Sequence, residues 1–223
     1  MRDKMTKKQL EQAFNDQLEE MRRLKRYVLQ SELNTESYDI TDRVNDQATT
    51  QILEAQAAIE RAEDQWALNV TEPEYNGNYQ QIDTYIRSVQ GLGWSWEEPY
   101  TKDGQFEWCG AACAFFYQAL RPNVRKKTLP SCYRLYRDWA NTSRRVSTPQ
   151  KGDICVVWTG KDRNKYGHHI TLCVDVNSDH IDTIEGNAKG LGCEDKTVIG
   201  VIKRSRDIED IAHIYRPLRE DFS

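Results

Sequence analysis

The chain has 223 residues, 38% apolar and 30% charged, with a net charge of −4 and six Trp, eleven Tyr and five Phe. That is enough for one large domain or a domain with an appendage, with rings to fill a core. No apolar run approaches the roughly 18 residues of a membrane span, the polar first twenty residues hold nothing like a secretory leader, and the acidic balance argues against a general nucleic-acid binder.

Charge and chemistry are unevenly placed. Residues 1–70 carry 10 basic and 14 acidic side chains and residues 71–223 carry 21 of each, while all six Cys and all four His lie in the second part. From Thr6, with Gln9 three residues on as in a capping box, Leu10, Phe14, Met21, Leu24 and Val28 predict a first helix. Residues 31–41 lose that period. A second helix is predicted from near Thr41, along the stripe Val44, Ala48, Ile52, Ala55, Ile59, Ala62 and Trp66. Both stripes are narrow and flanked by charge, as in a helical hairpin or coiled-coil seam. Two readings stand: the helices pack on their own domain, or residues 1–70 form an arm for self-association or docking to a particle protein.

Pro73 and Asn76-Gly77-Asn78 mark a break, so a domain boundary is expected there and a chain beginning near Asn76 is expected to fold alone. Tyr79, Ile82, Tyr85, Ile86 and Val89 predict a short amphipathic helix ending at Gly91 and Gly93. An aromatic, irregular stretch, 94–106, precedes a helix over Cys109–Leu120, closed by Pro122. Short β-branched runs at 154–158, 170–176, 181–184, 198–203 and 213–215, separated by turn residues, predict an antiparallel sheet. Helices first and a strand meander after give the class α+β.

Six cysteines in a chain without a leader are expected to be reduced. No C-x-x-C pair occurs, and Cys109 and Cys113, at i and i+4, cannot close a zinc site alone, so no metal is expected. Cys113, Cys155 and Cys173 read as packing residues, Cys132 and Cys193 carry no role, and His180 and His213 read as structural. Cys109 is different. It stands at a helix start, where the exposed amides favour a thiolate, and Gly110 beside it leaves room for backbone N–H groups to hold an oxyanion. In Gly167-His168-His169-Ile170-Thr171-Leu172-Cys173-Val174 the period is two. Ile170, Leu172 and Val174 are expected on the core face, and His169, Thr171 and Cys173 on the opposite face with the helix start. The turn at Asn177-Ser178-Asp179 brings Glu185 back beside His169. A Cys near a His held by a third polar group is the arrangement of an activated thiol.

Trp108-Cys109 at a helix start, Lys151-Gly152-Asp153-Ile154 opening a strand, His169-Ile170-Thr171-Leu172 on the next, and Glu185-Gly186-Asn187 after the third together resemble a CHAP domain. This is the cysteine, histidine-dependent amidohydrolase/peptidase family, related to the NlpC-type, papain-like peptidoglycan hydrolases of phages and bacteria. The resemblance covers about residues 76–217. It implies a papain-like fold, Cys109 as nucleophile, His169 as general base, and Glu185 and Asn187 as polar partners of the imidazole. The family usually has glycine before the strand histidine, where this chain has His168, so His168 stands as the alternative base.

Trp94, Trp96 and Trp108 are candidates to line a groove for sugar or peptide. Eight basic residues between 121 and 145 face one acid, Asp138, and offer either a solvated face or attraction to anionic wall polymers. The resemblance implies a cell-wall amidase or endopeptidase needing no cofactor. It would be made in the cytoplasm and act on peptidoglycan, as a phage endolysin or a virion-carried lysin. The competing readings are a structural protein whose helical arm is the working part, and a thiol amidase acting as an effector on another substrate.

Overall fold

The computed structural model describes residues 35–75, 77–90, 107–118, 131–218 and 221, with side chains from Ala48 onward apart from Gln90 and Gln118. The first expected helix and the groove candidates Trp94 and Trp96 lie outside the described residues. The chain divides into two compact units, Met1–Gln47 and Ala48–Ser223. Of the first, the described part is helical: α1 spans Thr35–Ala67, starting six residues before the expected Thr41.

The second unit contains the rest of α1, then α2 (Gln80–Gln90), α3 (Cys109–Gln118) and α4 (Cys132–Trp139). Six strands follow: β1 (Arg145–Val146), β2 (Ile154–Val157), β3 (His169–Val176), β4 (His180–Leu191), β5 (Thr197–Asp207) and β6 (Ile211–Tyr215). They form one sheet in the order β1-β6-β2-β3-β4-β5, with every neighbouring pair antiparallel. The α+β class stands.

The helices bury their apolar residues against one face of this sheet. Ala58 and Ala62 of α1, Ile82, Tyr85 and Ile86 of α2, and Ala111, Ala112, Cys113 and Phe116 of α3 form one cluster with Ile154, Val156, Ile170, Leu172 and Ile184. The small residues of α3 are what allow it to lie this close to the strands. Gly186 is the reciprocal concession: a β-carbon there would collide with Ala112 and lie 2.8 Å from the Trp108 ring. On the opposite face Cys155, Cys173, Ile181 and Ile214 form a second, smaller cluster. The expected alternation of β3 is therefore present, but α3 packs on the Ile170–Leu172 side, not on the side of Thr171 and Cys173. The strand's apolar residues needed a cover, and α3 supplies it.

Two expectations about organisation need correction. The boundary at residues 70–76 cuts through packed structure. Val70 and Thr71 lie along β5, where Val201 N–H donates to the Val70 carbonyl at 2.8 Å and Glu72 N–H to the Ile199 carbonyl at 2.9 Å. Tyr85 of α2 donates to Gln65 of α1 at 2.7 Å. The stripe proposed for the second helix is also only half buried. Of that stripe Ala62 is buried and Ala55, Ile59 and Trp66 are partly buried, while Ala48 and Ile52 stay exposed; Ala58 and Gln65, beside it, are also buried. Residues 48–75 thus belong to the domain that follows them.

The helix α4 was not anticipated among the basic residues of 121–145. Ser131 caps it by accepting from Arg134 N–H, and Leu135 and Trp139, four apart, are its buried stripe.

Candidate active site

The Ala112 N–H donates to the Trp108 carbonyl at 2.9 Å, which makes Cys109 the first residue inside α3. The N–H groups of Cys109, Gly110 and Ala111 therefore have no acceptor within the helix and point out of its positive end. Cys109 is 6% exposed and His169, the first residue of β3, 8% exposed. The His169 imidazole and the Ile170 backbone both favour the Cys109 thiolate, and the sulfur in turn favours the imidazolium.

Behind the imidazole, Nε2 of His169 stands 3.2 Å from Oε2 of Glu185, close enough for an ion pair but off the axis of a hydrogen bond. Glu185 is fully buried and well satisfied. Arg206 donates to both of its oxygens, Nε to Oε1 and Nη2 to Oε2, each at 2.7 Å, and the Thr183 hydroxyl donates to Oε1 at 2.8 Å. The result is a line of four groups of alternating charge: thiolate, imidazolium, carboxylate and guanidinium. Each buried charge is flanked by its opposite, the condition under which burying it is tolerable.

The titration of these groups follows. Burial alone would push the Cys109 thiol up, but the charge and hydrogen bond of His169 outweigh it and hold the thiol below its ordinary value. Burial alone would pull His169 down, but the Cys109 sulfur and then Glu185 reverse this and push it up to about 9. Burial also works against the Glu185 carboxylate, yet His169 and Arg206 hold it well below the usual carboxylate range. All three shifts favour the ionised pair. The neighbouring thiols differ: burial pushes Cys113 well above its ordinary value and Cys132 up to about 12.

Two clefts meet at this point and share Glu107, Cys109, Thr159 and His168. One runs along β4 and β5 past Asn187, Lys189, Arg204 and Arg206. The other runs past Ser131, Cys132, Tyr133, Lys161, Asp162 and Tyr166. A substrate chain crossing from one to the other would pass the sulfur.

Cys109, His169 and Glu185 are thus brought together. Asn187 is not in the row behind the imidazole. It sits with Gly186 in a bulge of β4, at φ 54°, and lines the first cleft. Trp108 does not line either cleft: its ring is fully buried, packed against Gly186 and 5.9 Å from the Tyr85 ring. It is a core residue because α3 could not otherwise close over the sheet at that point. His168 is turned into its own loop, where its Nδ1 accepts from Thr159 N–H at 3.1 Å and its Nε2 lies 2.8 Å from Asn164 Nδ2. It is His169 whose ring meets the thiol.

The Lys151-Gly152-Asp153 turn lies at the other end of α3. Tyr117 donates its hydroxyl to the Gly152 carbonyl there, and Arg216 grips Asp153 by two bonds of 2.9 Å. Among the described residues no cluster of three or more His, Cys, Asp or Glu is placed to hold a metal, and no helix is long and apolar enough to cross a membrane. Arg206 was missed. Its signal was the basic run Lys203-Arg204-Ser205-Arg206: the β4–β5 register sets Arg206 opposite Ile181, four residues before Glu185, and its long side chain reaches along the strand to the carboxylate.

No family model, curated protein or solved structure matches the chain. What the site does is read from its own atoms.

Proposed function

We propose that the protein is a cysteine amidohydrolase of the CHAP type, with a papain-like catalytic domain, acting on an amide bond of peptidoglycan. The observation that carries this reading is the Cys109–His169–Glu185–Arg206 array at the N-terminus of α3, with the sulfur at the junction of two clefts. Four motifs in family order support the choice of substrate.

The Cys109 thiolate attacks the amide carbonyl carbon, and the N–H groups of Cys109 and Gly110 hold the oxygen as it becomes negative. His169, protonated at the outset, gives its proton to the departing amine as the C–N bond breaks. The product amine leaves and a thioester remains on Cys109. Neutral His169 then takes a proton from water, whose oxygen attacks the thioester, and the acid is released as the thiolate returns. Glu185 holds the imidazole in place and supports its charge in both steps, and Arg206 holds Glu185. The family resemblance places the cut at the amide between muramic acid and the stem peptide or inside the stem or cross-bridge, in the setting of a phage endolysin or virion lysin.

Digestion of purified peptidoglycan with wild type and with Cys109→Ala, followed by mass spectrometry, tests the reading. New muropeptide ends from wild type alone support it, and their masses identify the bond. Identical digests from the two proteins would overturn it.

A further inference from the structure

We infer that Arg204 and Lys189 form a carboxylate-binding subsite in the β4–β5 cleft beside Cys109, selecting substrates that carry a free acid near the amide to be cut. The inference rests on the hydrolase reading above and names the substrate chemistry of the same site.

Three observations on the page lead there. First, the two clefts differ in charge. The cleft past Tyr133 and Tyr166 carries one cation and one anion of its own, Lys161 and Asp162, whereas the cleft past Asn187 adds three cations, Lys189, Arg204 and Arg206. Glu107, exposed, is common to both and lies at the thiol end, where its charge acts on Cys109. Second, the three cations are not equivalent. Arg206 is spent on Glu185, but among the described residues neither Arg204 nor Lys189 has a carboxylate within ion-pair distance, Glu107 included. Third, Arg204 is held in place rather than free in solvent. Its Nη2 donates to the Lys189 carbonyl, and it lies over Gly190, where a β-carbon would come within 3.1 Å of that nitrogen. The guanidinium is thereby fixed on the Lys189 backbone with donors to spare, in a cleft that Lys189 also lines. A planar fork with a second cation in the same cleft is an arrangement that can receive a carboxylate in two-point contact.

The stem peptides of walls supply such a group: the same residue occurs with its carboxyl free or amidated. The probes are a short acetylated stem peptide, alanine followed by glutamate with its γ-carboxyl blocked as the methylamide, and the same peptide with the glutamate α-carboxyl amidated as well. Their binding is measured by calorimetry to Cys109→Ala, and to that protein carrying in addition Arg204→Gln, Arg204→Lys or Lys189→Gln. The expected result is about tenfold tighter binding of the acid than of the amide. Arg204→Gln abolishes that difference, Lys189→Gln reduces it, and Arg204→Lys keeps only a minor part of it because the charge remains but the fork is lost. Equal binding of acid and amide to Cys109→Ala, or a preference untouched by Arg204→Gln, overturns the subsite. Cleavage of sacculi by wild type without any acid preference would remove the subsite and leave the hydrolase. Acid-selective binding by a protein that cuts no wall would remove the hydrolase and leave the subsite.

Discussion

Among the described residues three buried carboxylates, Asp153, Glu185 and Asp221, are each gripped by an arginine through two hydrogen bonds, and the two pairs at the ends of α3 differ in their surroundings. At one end of α3, Asp153 is held by Arg216 and accepts from Gln150 N–H at 2.8 Å. At the other end, Glu185 is held by Arg206 and also faces His169. Burial pushes the Asp153 carboxyl up, and its arginine does not make good the difference. The same penalty acts on Glu185, but the imidazolium turns the balance and the carboxyl falls well below its usual range. An acid and an arginine pin a turn. On the function proposed above, an acid, an arginine, a histidine and a thiol at a helix start make a device for moving protons.

That contrast predicts its own breaking points, the most severe at the sulfur. Cys109→Ala is expected to remove turnover, by roughly 10⁴-fold or more, with the melting temperature unchanged within about 2 °C. His169→Ala is expected to match it, while His168→Ala, which removes ring contacts to Thr159, Asn164 and Asp162 at the edge of the two clefts, costs a few-fold. Hydrolysis assays on purified sacculi read both, and a His168→Ala loss equal to that of His169→Ala would move the base to His168.

Shortening the chain comes next. A protein beginning at Asn76 loses Ala58, Ala62 and Val70 from the core and the backbone bonds of 70–72 to β5. The loss is on the order of 5 kcal/mol, comparable with the whole stability of a modest domain. It is expected to be unfolded by circular dichroism at 25 °C, whereas a protein beginning at Ala48 melts cooperatively. A folded, active 76–223 would restore the boundary that the sequence suggested.

How much of this was legible in the sequence divides along a physical line. Features that depend on local period were readable: β2 to β6, the start of α3 at Cys109, and the return of Glu185 to His169 through the Asn177 turn. Features that depend on which surface covers which were not. The stripe Ala48, Ile52, Ala55 is as regular as the stretch after it, yet Ala48 and Ile52 stay exposed while Ala55 packs on Gly152 and Gln51 donates to the Pro217 carbonyl, so these turns meet the edge of the domain and only the later ones meet the apolar core. Pro73 and Gly77 look like a linker, yet the chain between Val70 and Glu72 is bound to β5. Trp108, next to Cys109, reads as a groove ring until Gly186 is seen to make room for it beneath the helix. Arg206 needed the β4–β5 register, which no single strand contains.

The two acid–arginine pairs are separated by substituting each acid. Asp153→Ala leaves Gln150 N–H and Arg216 without their acceptor and is expected to lower stability by about 2 kcal/mol. Turnover per folded molecule should not change. Glu185→Gln is expected to lower kcat about 10²-fold by loosening the imidazole and weakening support for its charge. Denaturant melts and kcat on the same samples would show the two losses crossing. If Asp153→Ala lowered kcat as much as Glu185→Gln, the pin and the device would be one unit.

The smallest effect is a displacement on the pH axis, and it examines the device most directly. Attack needs the thiolate and departure of the amine needs the imidazolium, so activity should rise as the Cys109 thiol ionises and fall as His169 loses its proton. The thiol is held below its ordinary value and the imidazole is pushed up to about 9, so the rate should hold across neutral pH and decline near pH 9. These apparent values belong to the coupled pair. The carboxylate of Glu185 favours the imidazolium, so replacing it with an amide lets the proton leave at lower pH. In Glu185→Gln the alkaline limb of kcat/KM should move toward neutrality by about one pH unit. In Asp153→Ala it should stay in place, because Asp153 faces Arg216 and not the imidazole. An alkaline limb that does not move in Glu185→Gln would mean that burial and the sulfur alone set the charge of His169, and that Glu185 is a second pin.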